Sequence, residues 1–384
     1  SKLGLLKTFK TGTSYLRAKL FPVKPEISLE DFFINRFGKE LYQTFFKDYT
    51  EKVWGVRCAE IPASWGQQRV KNLDVTKLLK HAITSAFTSN KTITQHGTNT
   101  SLIEQFLYPK YGPGQLWQRV ANEITKRGGQ ILLNQKVTAI NGDGENTILS
   151  VDITNSDGAV STVKGDYFFS TMPVKDFVAV SRAIKTDPLV HEIASKLAYR
   201  DFLIVGLLSS ELKLKENDGT DITDNWIYIQ DGSIRAGRLQ FFHNWSPGMI
   251  ASKDDKWIGV EYFCNEDETF WQLPDKELAT FAIKEMESIG VLSAADVTDS
   301  IVIRVQKAYP SYYGAYGEFD QVRAHLDKIP NLFPIGRNGM HRYNNSDHSM
   351  LTAMAAVENI IGNRTDKSNI WEINTDDDYH EESK

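Results

Sequence analysis

Hydrophobic positions follow a helical period in the first quarter of the chain. Ser28 and Asp31 stand three residues apart in the form of a capping box, which predicts a helix start. Phenylalanine and leucine then recur at spacings of three to four residues up to position 46. Pro62 and Trp65 interrupt this pattern. A second helical stretch is predicted over 75–87, and a polar loop over 88–101.

The remaining pattern mixes two periods and predicts a mixed α/β chain with a large antiparallel component. Helices are predicted after the Gly112-Pro-Gly114 turn, ending at Gly128, and over 276–289 and 347–361. Ser346 or Asp347 is expected to cap the last helix. Its buried face is expected to comprise Met350, Ala353, Met354 and Val357. Strands are predicted at 131–133, 136–140, 148–153, 167–171, 203–208, 225–230, 237–242, 257–263, 300–306 and 331–335.

Charge and composition narrow the class of protein. The 384 residues carry 44 basic and 49 acidic side chains, a formal net charge of −5. This whole excess lies in 365–384, which is expected to be a disordered acidic tail, so general nucleic-acid binding is not expected. Two cysteines, Cys58 and Cys264, fit a reducing, cytoplasmic compartment. No apolar run is long enough to span a membrane, and no signal peptide opens the chain, which begins with Ser1.

Candidate chemistry concentrates in the segment 331–354. A strand, a polar turn containing Gly336 and Gly339, and a helix follow one another. This geometry aims backbone N–H groups and a positive dipole end at one point, which suits an anionic ligand. An ordinary capped helix after a turn is an equally good interpretation of the pattern alone. No strand is followed by Gly-x-Gly-x-x-Gly, and the sequence has neither a phosphate-loop motif nor a metal-type Cys/His cluster.

The same segment resembles the flavin-binding C-terminal signature of the UDP-galactopyranose mutases, especially the eukaryotic type. These are members of the amine oxidase/protoporphyrinogen oxidase superfamily. Further segments resemble that family in the same order along the chain. They are Asp48-Tyr-Thr-Glu-Lys-Val-Trp54, Ala63-Ser-Trp65-Gly-Gln-Gln-Arg69, Phe106-Leu-Tyr-Pro109-Lys-Tyr-Gly112-Pro-Gly114, Ser170-Thr-Met-Pro173, Asn225-Trp226-Ile-Tyr228, Asn244-Trp-Ser-Pro247 and Ala308-Tyr309-Pro310.

The resemblance implies a partial FAD-binding Rossmann-like domain, an antiparallel substrate-domain sheet and a helical substrate domain. It also implies that the N-terminal βαβ unit, which holds the pyrophosphate of FAD, has no counterpart in this sequence. The boundaries it suggests are 1–105 for the helical domain, 106–180 and 311–364 for the FAD-binding domain, and 181–310 for the sheet domain.

The resemblance also implies roles for individual residues. Arg238 and Arg337 match diphosphate-binding arginines, Tyr309 and Tyr343 match phosphate-contacting tyrosines, and Arg69 matches an arginine of the substrate domain. Without the resemblance, structural ion pairs and core packing explain these side chains as well. The residues implied to contact FAD are Val137, Gly336, Arg337, Asn345, Asp347, His348, Ser349 and Met350.

Three hypotheses remain open from the sequence. The first is a mutase-like enzyme that interconverts the pyranose and furanose forms of a UDP-sugar through reduced FAD. The second is an FAD-dependent oxidoreductase of the amine oxidase/protoporphyrinogen oxidase type, and the third is a truncated, non-catalytic fragment. The first expects a nucleotide-sugar as small-molecule substrate. The oligomeric state is not indicated by the sequence.

Overall fold

The computed structural model describes residues 5–69 and 107–373, which divide into two compact units. Within the described residues, unit 1 comprises 5–69, 107–123 and 200–306, and unit 2 comprises 124–199 and 307–373. The predicted helix over 75–87 and the loop over 88–101 lie outside the described residues. The strands are β1 Gln135–Gly142, β2 Ile148–Asn155, β3 Val160–Lys164, β4 Phe168–Ser170, β5 Ser181–Arg182, β6 Tyr199–Ser209, β7 Trp226–Tyr228, β8 Arg238–Phe241, β9 Lys256–Cys264, β10 Val297–Pro310 and β11 Leu332–Pro334.

The N-terminal part of unit 1 is helical, as predicted. The Ser28 hydroxyl accepts a hydrogen bond from the Asp31 N–H at 3.1 Å, and the Asp31 carboxylate accepts one from the Ser28 N–H at 3.0 Å, which completes the capping box. Phe46, in a π-helical turn, stacks on Phe33 and Phe37 at 4.8 Å from each. The helical elements here are Leu5–Leu20, Leu29–Phe37, Lys39–Leu41, Tyr42–Phe46, Lys47–Trp54, Cys58–Glu60 and Ala63–Arg69.

The second part of unit 1 is a five-stranded sheet in the order β10-β6-β9-β8-β7. β9 pairs antiparallel over its full length with residues 201–209 of β6, and both strands are nearly continuous apolar runs that are covered by other elements. The helix Asp275–Ser288 packs Leu278, Ala282 and Met286 into the core, as its period predicts. Shorter helical elements are Phe242–Trp245, Pro247–Met249, Thr269–Gln272 and Ala294–Asp296.

Unit 2 combines a four-stranded sheet, in the order β3-β2-β1-β5, with a parallel pair of strands, β11 and β4. Its core includes Ile140, Ile148, Leu332 and Phe333. Its helical elements are Val174–Val180, Pro188–Ser195, Gly314–Glu318, Phe319–Asp327, Gly336–Gly339, Ser346–Ile361 and Ser368–Glu372, and the helix Gly114–Lys126 crosses the boundary between the units. The predicted mixed α/β fold class is confirmed.

Several local predictions differ from the structure. Residues 131–133 form no strand; they lead into a separate turn at 133–134, where Asn134 has a φ of +57°, and β1 begins only after this turn. Residues 365–373, predicted as the start of a disordered tail, fold onto unit 2 instead. Lys367, Ile370 and Trp371 are buried there, so the apolar side chains outweigh the acidic composition. The rest of the predicted tail, 374–384, lies outside the described residues.

The helix Ser346–Ile361 also differs from its prediction. Asn345, rather than Ser346 or Asp347, occupies the N-cap position, and its side chain makes no capping hydrogen bond. Met350, Met354 and Val357, predicted to be buried, are exposed. The buried residues of this helix are His348, Thr352, Ala356 and Asn359. Over residues 5–69 and 107–373, the structure has no helix that is both long and apolar enough to cross a membrane.

Candidate functional site

In unit 2, Arg337, Tyr309 and Tyr343 form one cluster. Arg337 lies in the short helix Gly336–Gly339, directly after β11. The Tyr309 and Tyr343 rings are 5.8 Å apart and parallel within 10°. The Arg337 guanidinium carbon lies 4.4 Å from the centroid of the Tyr343 ring and 5.3 Å from that of Tyr309. These three predicted site residues are therefore brought together.

Backbone carbonyls fix the Arg337 guanidinium in place. Its Nε and Nη2 atoms donate to the Asn344 carbonyl at 3.2 and 2.8 Å, and Nη1 donates to the Ala308 carbonyl at 3.2 Å. No carboxylate among the described residues lies within ion-pair distance of Arg337. Three of its five N–H groups are used by these bonds. The site therefore holds a positioned positive charge that carbonyl dipoles, and no carboxylate, partly balance.

Backbone turns at Gly336 and Gly339 allow this arrangement. Gly336 has a φ of +70°, which favours glycine, and its N–H donates to the Thr352 hydroxyl at 3.0 Å. A Cβ at Gly339 would stand 2.2 Å from the Ser170 carbonyl oxygen, so only glycine fits beside the end of β4. The strand-to-helix turn is therefore held close to both neighbouring elements.

The residues around the start of the helix Ser346–Ile361 include most of the predicted cofactor contacts. Asn345 is exposed, whereas the neighbouring Asn344 is buried and its side-chain oxygen accepts from the Ser349 hydroxyl at 2.8 Å. His348 is buried, and its Nδ1 lies 2.9 Å from an Asp347 carboxylate oxygen. Burial opposes ionisation of Asp347, but the interaction with His348 and the hydrogen bonds from first-turn backbone N–H groups together outweigh it and hold the pKa of this carboxyl below its usual value.

Two other predicted FAD contacts, Met350 and Val137, make none of the hydrogen bonds that join the side chains of this group. Met350 is exposed on the first turn of the same helix. Val137 lies in β1, opposite Ile153, and its half-buried side chain packs against the unit 2 core.

In unit 1, Arg238 belongs to a second group of side chains, in which an ion pair adjoins aromatic rings. It lies in β8 and pairs through Nε with the buried Glu261 carboxylate of β9. Gln240 donates to the other Glu261 oxygen at 2.8 Å and accepts from Trp245 Nε1 at 3.0 Å. Burial raises the pKa of the Glu261 carboxyl, although Arg238 and Gln240 lower it.

Aromatic rings extend this group to the surface of unit 1. Trp245 lies 5.1 Å from Trp226 and stacks on Tyr108 at the same distance. Trp226 and Tyr228 are both more than 40% exposed, and the Arg238 guanidinium lies 6.0 Å from the Trp226 ring. An exposed aromatic face beside a guanidinium can bind a flat or sugar-like ligand that carries negative charge.

Comparison with known structures identifies the fold of this chain. No family model matches the sequence. A crystal structure of reduced UDP-galactopyranose mutase superposes with a TM-score of 0.73 at 19% identity, over 96% of this chain and 75% of the mutase chain. The chain has the fold of UDP-galactopyranose mutase.

Two further structures share the mutase fold at lower similarity. A "putative protoporphyrinogen oxidase" from Exiguobacterium sp. 255-15 has a TM-score of 0.59 at 14% identity, covering 91% of this chain and 72% of its own. An oxidoreductase from Methanosarcina mazei has a TM-score of 0.50 at 10% identity, covering 82% and 63%. These likenesses confirm the predicted fold resemblance.

Sequence reasoning missed several residues of the two groups that this mutase fold contains. Glu261 has a signal in the sequence, because it is a lone acid in the apolar run 257–264, where a buried charge needs a partner. Asn344 and Gln240 had no comparable signal. Arg69 ends the helix Ala63–Arg69, and its side chain lies outside the described part of the structure.

Trp54 and Trp65 are buried and pack edge to face at 5.4 Å, so both fill the core of unit 1. Trp226, by contrast, is exposed.

Proposed function

We propose that this chain acts on a UDP-sugar as an FAD-dependent mutase does. The observation that carries the proposal is the Arg337 site. Its guanidinium is fixed by two backbone carbonyls, stands beside two parallel tyrosine rings and has no carboxylate partner among the described residues. A partly buried arginine whose role is purely structural normally has a carboxylate partner that neutralises its positive charge. A diphosphate would supply the missing negative charge.

The turn and helix start beside Arg337 fit the ring end of a flavin. The N-cap side chain of the helix Ser346–Ile361 makes no capping hydrogen bond, and the N-terminus of this helix follows the turn at Gly336 and Gly339. A helix N-terminus stabilises negative charge nearby, as an anionic reduced flavin would carry. When bound and reduced, FAD supplies the nucleophile for the anomeric carbon of the sugar. Val137, Asn345, His348 and Ser349 are the proposed further contacts of FAD.

The remaining tasks fall to this chain's own side chains. In unit 2, Arg337 would bind diphosphate oxygens, and Tyr309 and Tyr343 would orient them. In unit 1, taken by itself, Arg238 is the proposed anion-binding residue. Exposed Trp226 and Tyr228 offer apolar surface for the sugar or the base. The proposed catalytic residues therefore act by binding and orienting the substrate rather than by proton transfer. They are Arg69, Arg238, Tyr309, Arg337 and Tyr343.

Cofactor binding is the first test. The purified chain is incubated with excess FAD and gel-filtered, and its visible absorption spectrum is recorded. We expect bound flavin and dithionite-dependent conversion of UDP-galactofuranose to UDP-galactopyranose. Absence of bound flavin would reject every flavoenzyme function for this chain, which leaves the non-catalytic interpretation.

Arginine variants test the diphosphate assignment. Arg337→Lys keeps the charge but loses the planar fork, so UDP affinity should fall by about tenfold or more. Arg323→Lys is the control, because Arg323 is a half-exposed arginine in the helix Phe319–Asp327 that pairs with Asp327. Equal UDP affinity of the wild type and Arg337→Lys would remove Arg337 from the site.

A second candidate function is a flavin-dependent oxidation, favoured by the oxidase and oxidoreductase names of the two other similar structures. It predicts substrate-dependent oxygen uptake by the oxidised, FAD-loaded chain. Oxygen uptake without isomerisation of UDP-galactofuranose would select this candidate over the mutase.

A further inference from the structure

The N-terminal helix Leu5–Leu20 presents an apolar stripe away from the rest of unit 1. Leu6, Phe9, Leu16 and Leu20 are 61–84% exposed. At about 100° per residue, these four side chains fall within an arc of about 80°. The exposed apolar surface continues past the helix end through Phe21. Thr13 lies between Phe9 and Leu16 on this face, and its hydroxyl donates to the Lys10 carbonyl at 2.9 Å. Large apolar side chains gathered on one helix face mark an interaction surface rather than ordinary exposed residues.

The opposite face of this helix attaches it to unit 1. The Ser14 hydroxyl accepts from the Glu40 N–H at 3.1 Å, and Ala18 is buried. A Cβ at Gly38 would stand 2.7 Å from the backbone nitrogen of Tyr15, so the helix backbone packs directly on this turn. The helix is therefore held in place through small residues, and this leaves its larger apolar residues on the outside.

Positive charge borders the apolar stripe. From Ser1 to Pro25 the sequence has no acidic residue. On the helical wheel, Lys10 and Arg17 flank one edge of the stripe and Lys19 the other, and all three are exposed. The first acid, Glu26, already forms an ion pair with Arg36 at 2.8 Å. The six basic residues of this segment are Lys2, Lys7, Lys10, Arg17, Lys19 and Lys24.

We propose that this helix binds the surface of an anionic lipid bilayer, lying in the plane of the headgroups with its apolar stripe inserted. A helix with leucine and phenylalanine on one side and lysine and arginine at its edges has the composition of interfacial helices. Phosphate headgroups complement the basic edges, and the acyl boundary receives the stripe.

Other occupants of the stripe fit the charge and composition less well. A second copy would place two basic surfaces against each other. Residues 374–384 are acidic but contain no aliphatic side chain, and residues 70–106 include apolar side chains but carry four lysines against two acids. Neither of these segments offers both an apolar surface and negative charge.

Vesicle flotation of the full chain tests the proposal. We expect binding to vesicles of phosphatidylcholine with phosphatidylglycerol at 0.1 M salt. Binding should be weaker at 0.5 M salt or with phosphatidylcholine alone, since screening and loss of headgroup charge remove the electrostatic part. Failure to bind the anionic vesicles at 0.1 M salt would overturn the proposal.

Two variants separate the apolar and the charged contributions. Leu6→Gln/Leu16→Gln should weaken partitioning by about tenfold or more. Lys10→Gln/Arg17→Gln should weaken it by about thirtyfold, from about 1 kcal/mol for each basic residue near the surface. The control is Leu133→Gln/Lys164→Gln, two exposed residues of unit 2, which should bind as wild type does. Equal binding by all variants would refute a role for this helix.

A dye at position 16 gives a direct readout of insertion. Cys58 and Cys264 are buried, and burial raises the pKa of their thiols to about 12 and about 11, so Leu16→Cys can be labelled selectively. An environment-sensitive fluorophore there should shift to the blue with anionic vesicles. A blue shift that needs no lipid and rises with protein concentration would show a second copy on the stripe and overturn the lipid proposal.

Discussion

The buried imidazole of His341 is expected to make unit 2 sensitive to acid. His341 is fully inaccessible to solvent and stands among aromatic rings, with Tyr199 at 4.7 Å and Phe319 at 5.6 Å. Its Nε2 lies 3.0 Å from the Ser311 carbonyl oxygen and must donate to it, so the neutral ring has no proton on Nδ1. Nδ1 is buried and has no hydrogen-bond partner within 5–69 and 107–373. Protonation at Nδ1 would thus place an uncompensated charge in the core.

The size of the effect follows from the pKa. Burial lowers the pKa of His341 from 6.5 to about 4, although the Ser311 carbonyl raises it. The unfolded chain therefore takes up a proton as the pH falls through 6.5, while the folded chain does so only near 4. At about 1.4 kcal/mol per pKa unit, this one group lowers the free energy of unfolding by about 3 kcal/mol between pH 7 and pH 4.

Urea unfolding of the wild type and of His341→Gln, followed between pH 7 and pH 4.5, measures this contribution. The amide of the substituted side chain can still donate to the Ser311 carbonyl but does not titrate. We expect the variant to be less stable at pH 7 and to lose less stability on acidification, so the difference between the proteins narrows as the pH falls. His191→Gln, at an exposed histidine, controls for the loss of an imidazole. A difference between wild type and His341→Gln that is constant with pH would refute the reasoning.

Three further predictions concern stability. Gly339→Ala should lower the free energy of unfolding by about 3 kcal/mol in thermal melts, because its Cβ would meet the Ser170 carbonyl, whereas Gly317→Ala, with open space around it, should be nearly neutral. Ser28→Ala should cost about 1 kcal/mol through loss of the capping box, and equal melting temperatures would contradict this. Burial lowers the pKa of Lys367 to about 8, so the folded chain loses this proton before the unfolded chain does. Stability should therefore rise between pH 8 and pH 10, and this rise should be smaller in Lys367→Met.

The sequence predicted elements best where one period ran without interruption. The helix Asp275–Ser288 and the strands β6 and β9 lie within a few residues of their predicted bounds. Within the predicted helical domain 1–105, the helix Leu5–Leu20 was not predicted as a separate element. Its packed face is built from small and polar residues such as Ser14 and Ala18, and its large apolar residues are exposed. Hydrophobic periodicity indicates that a helix has an apolar face, but it does not indicate whether that face packs against the core.

The helix Ser346–Ile361 shows why the direction of a helix face cannot be predicted from hydrophobicity alone. Thr352 is buried because its hydroxyl accepts from the Gly336 N–H, and His348 because it pairs with Asp347. These polar side chains serve the strand-to-helix turn, and they take the inner face in place of Met354 and Val357. A local requirement for hydrogen bonds has therefore overridden the hydrophobic pattern.

Candidate site residues were predicted by family resemblance and not by physical pattern. Spacing alone could not bring Tyr309 to Arg337, because 27 residues, among them the helix Phe319–Asp327, separate them. The hydrogen bonds that fix Arg337 go to backbone carbonyls, which any residue supplies, so no side-chain motif announces them. Proximity of this kind depends on the tertiary fold.

The two arginines that the resemblance treats alike differ in their electrostatics. Arg238 is already paired with Glu261, which is 2% exposed, so its charge is largely balanced before any anion binds. Arg238→Ala would leave that carboxylate buried without its cation, which destabilises the fold as well as the site. Arg238→Ala/Glu261→Gln removes both charges together and is the cleaner variant. If Arg337 carries most of the diphosphate affinity, as its unbalanced charge implies, UDP binding should fall much less in this double variant than in Arg337→Lys.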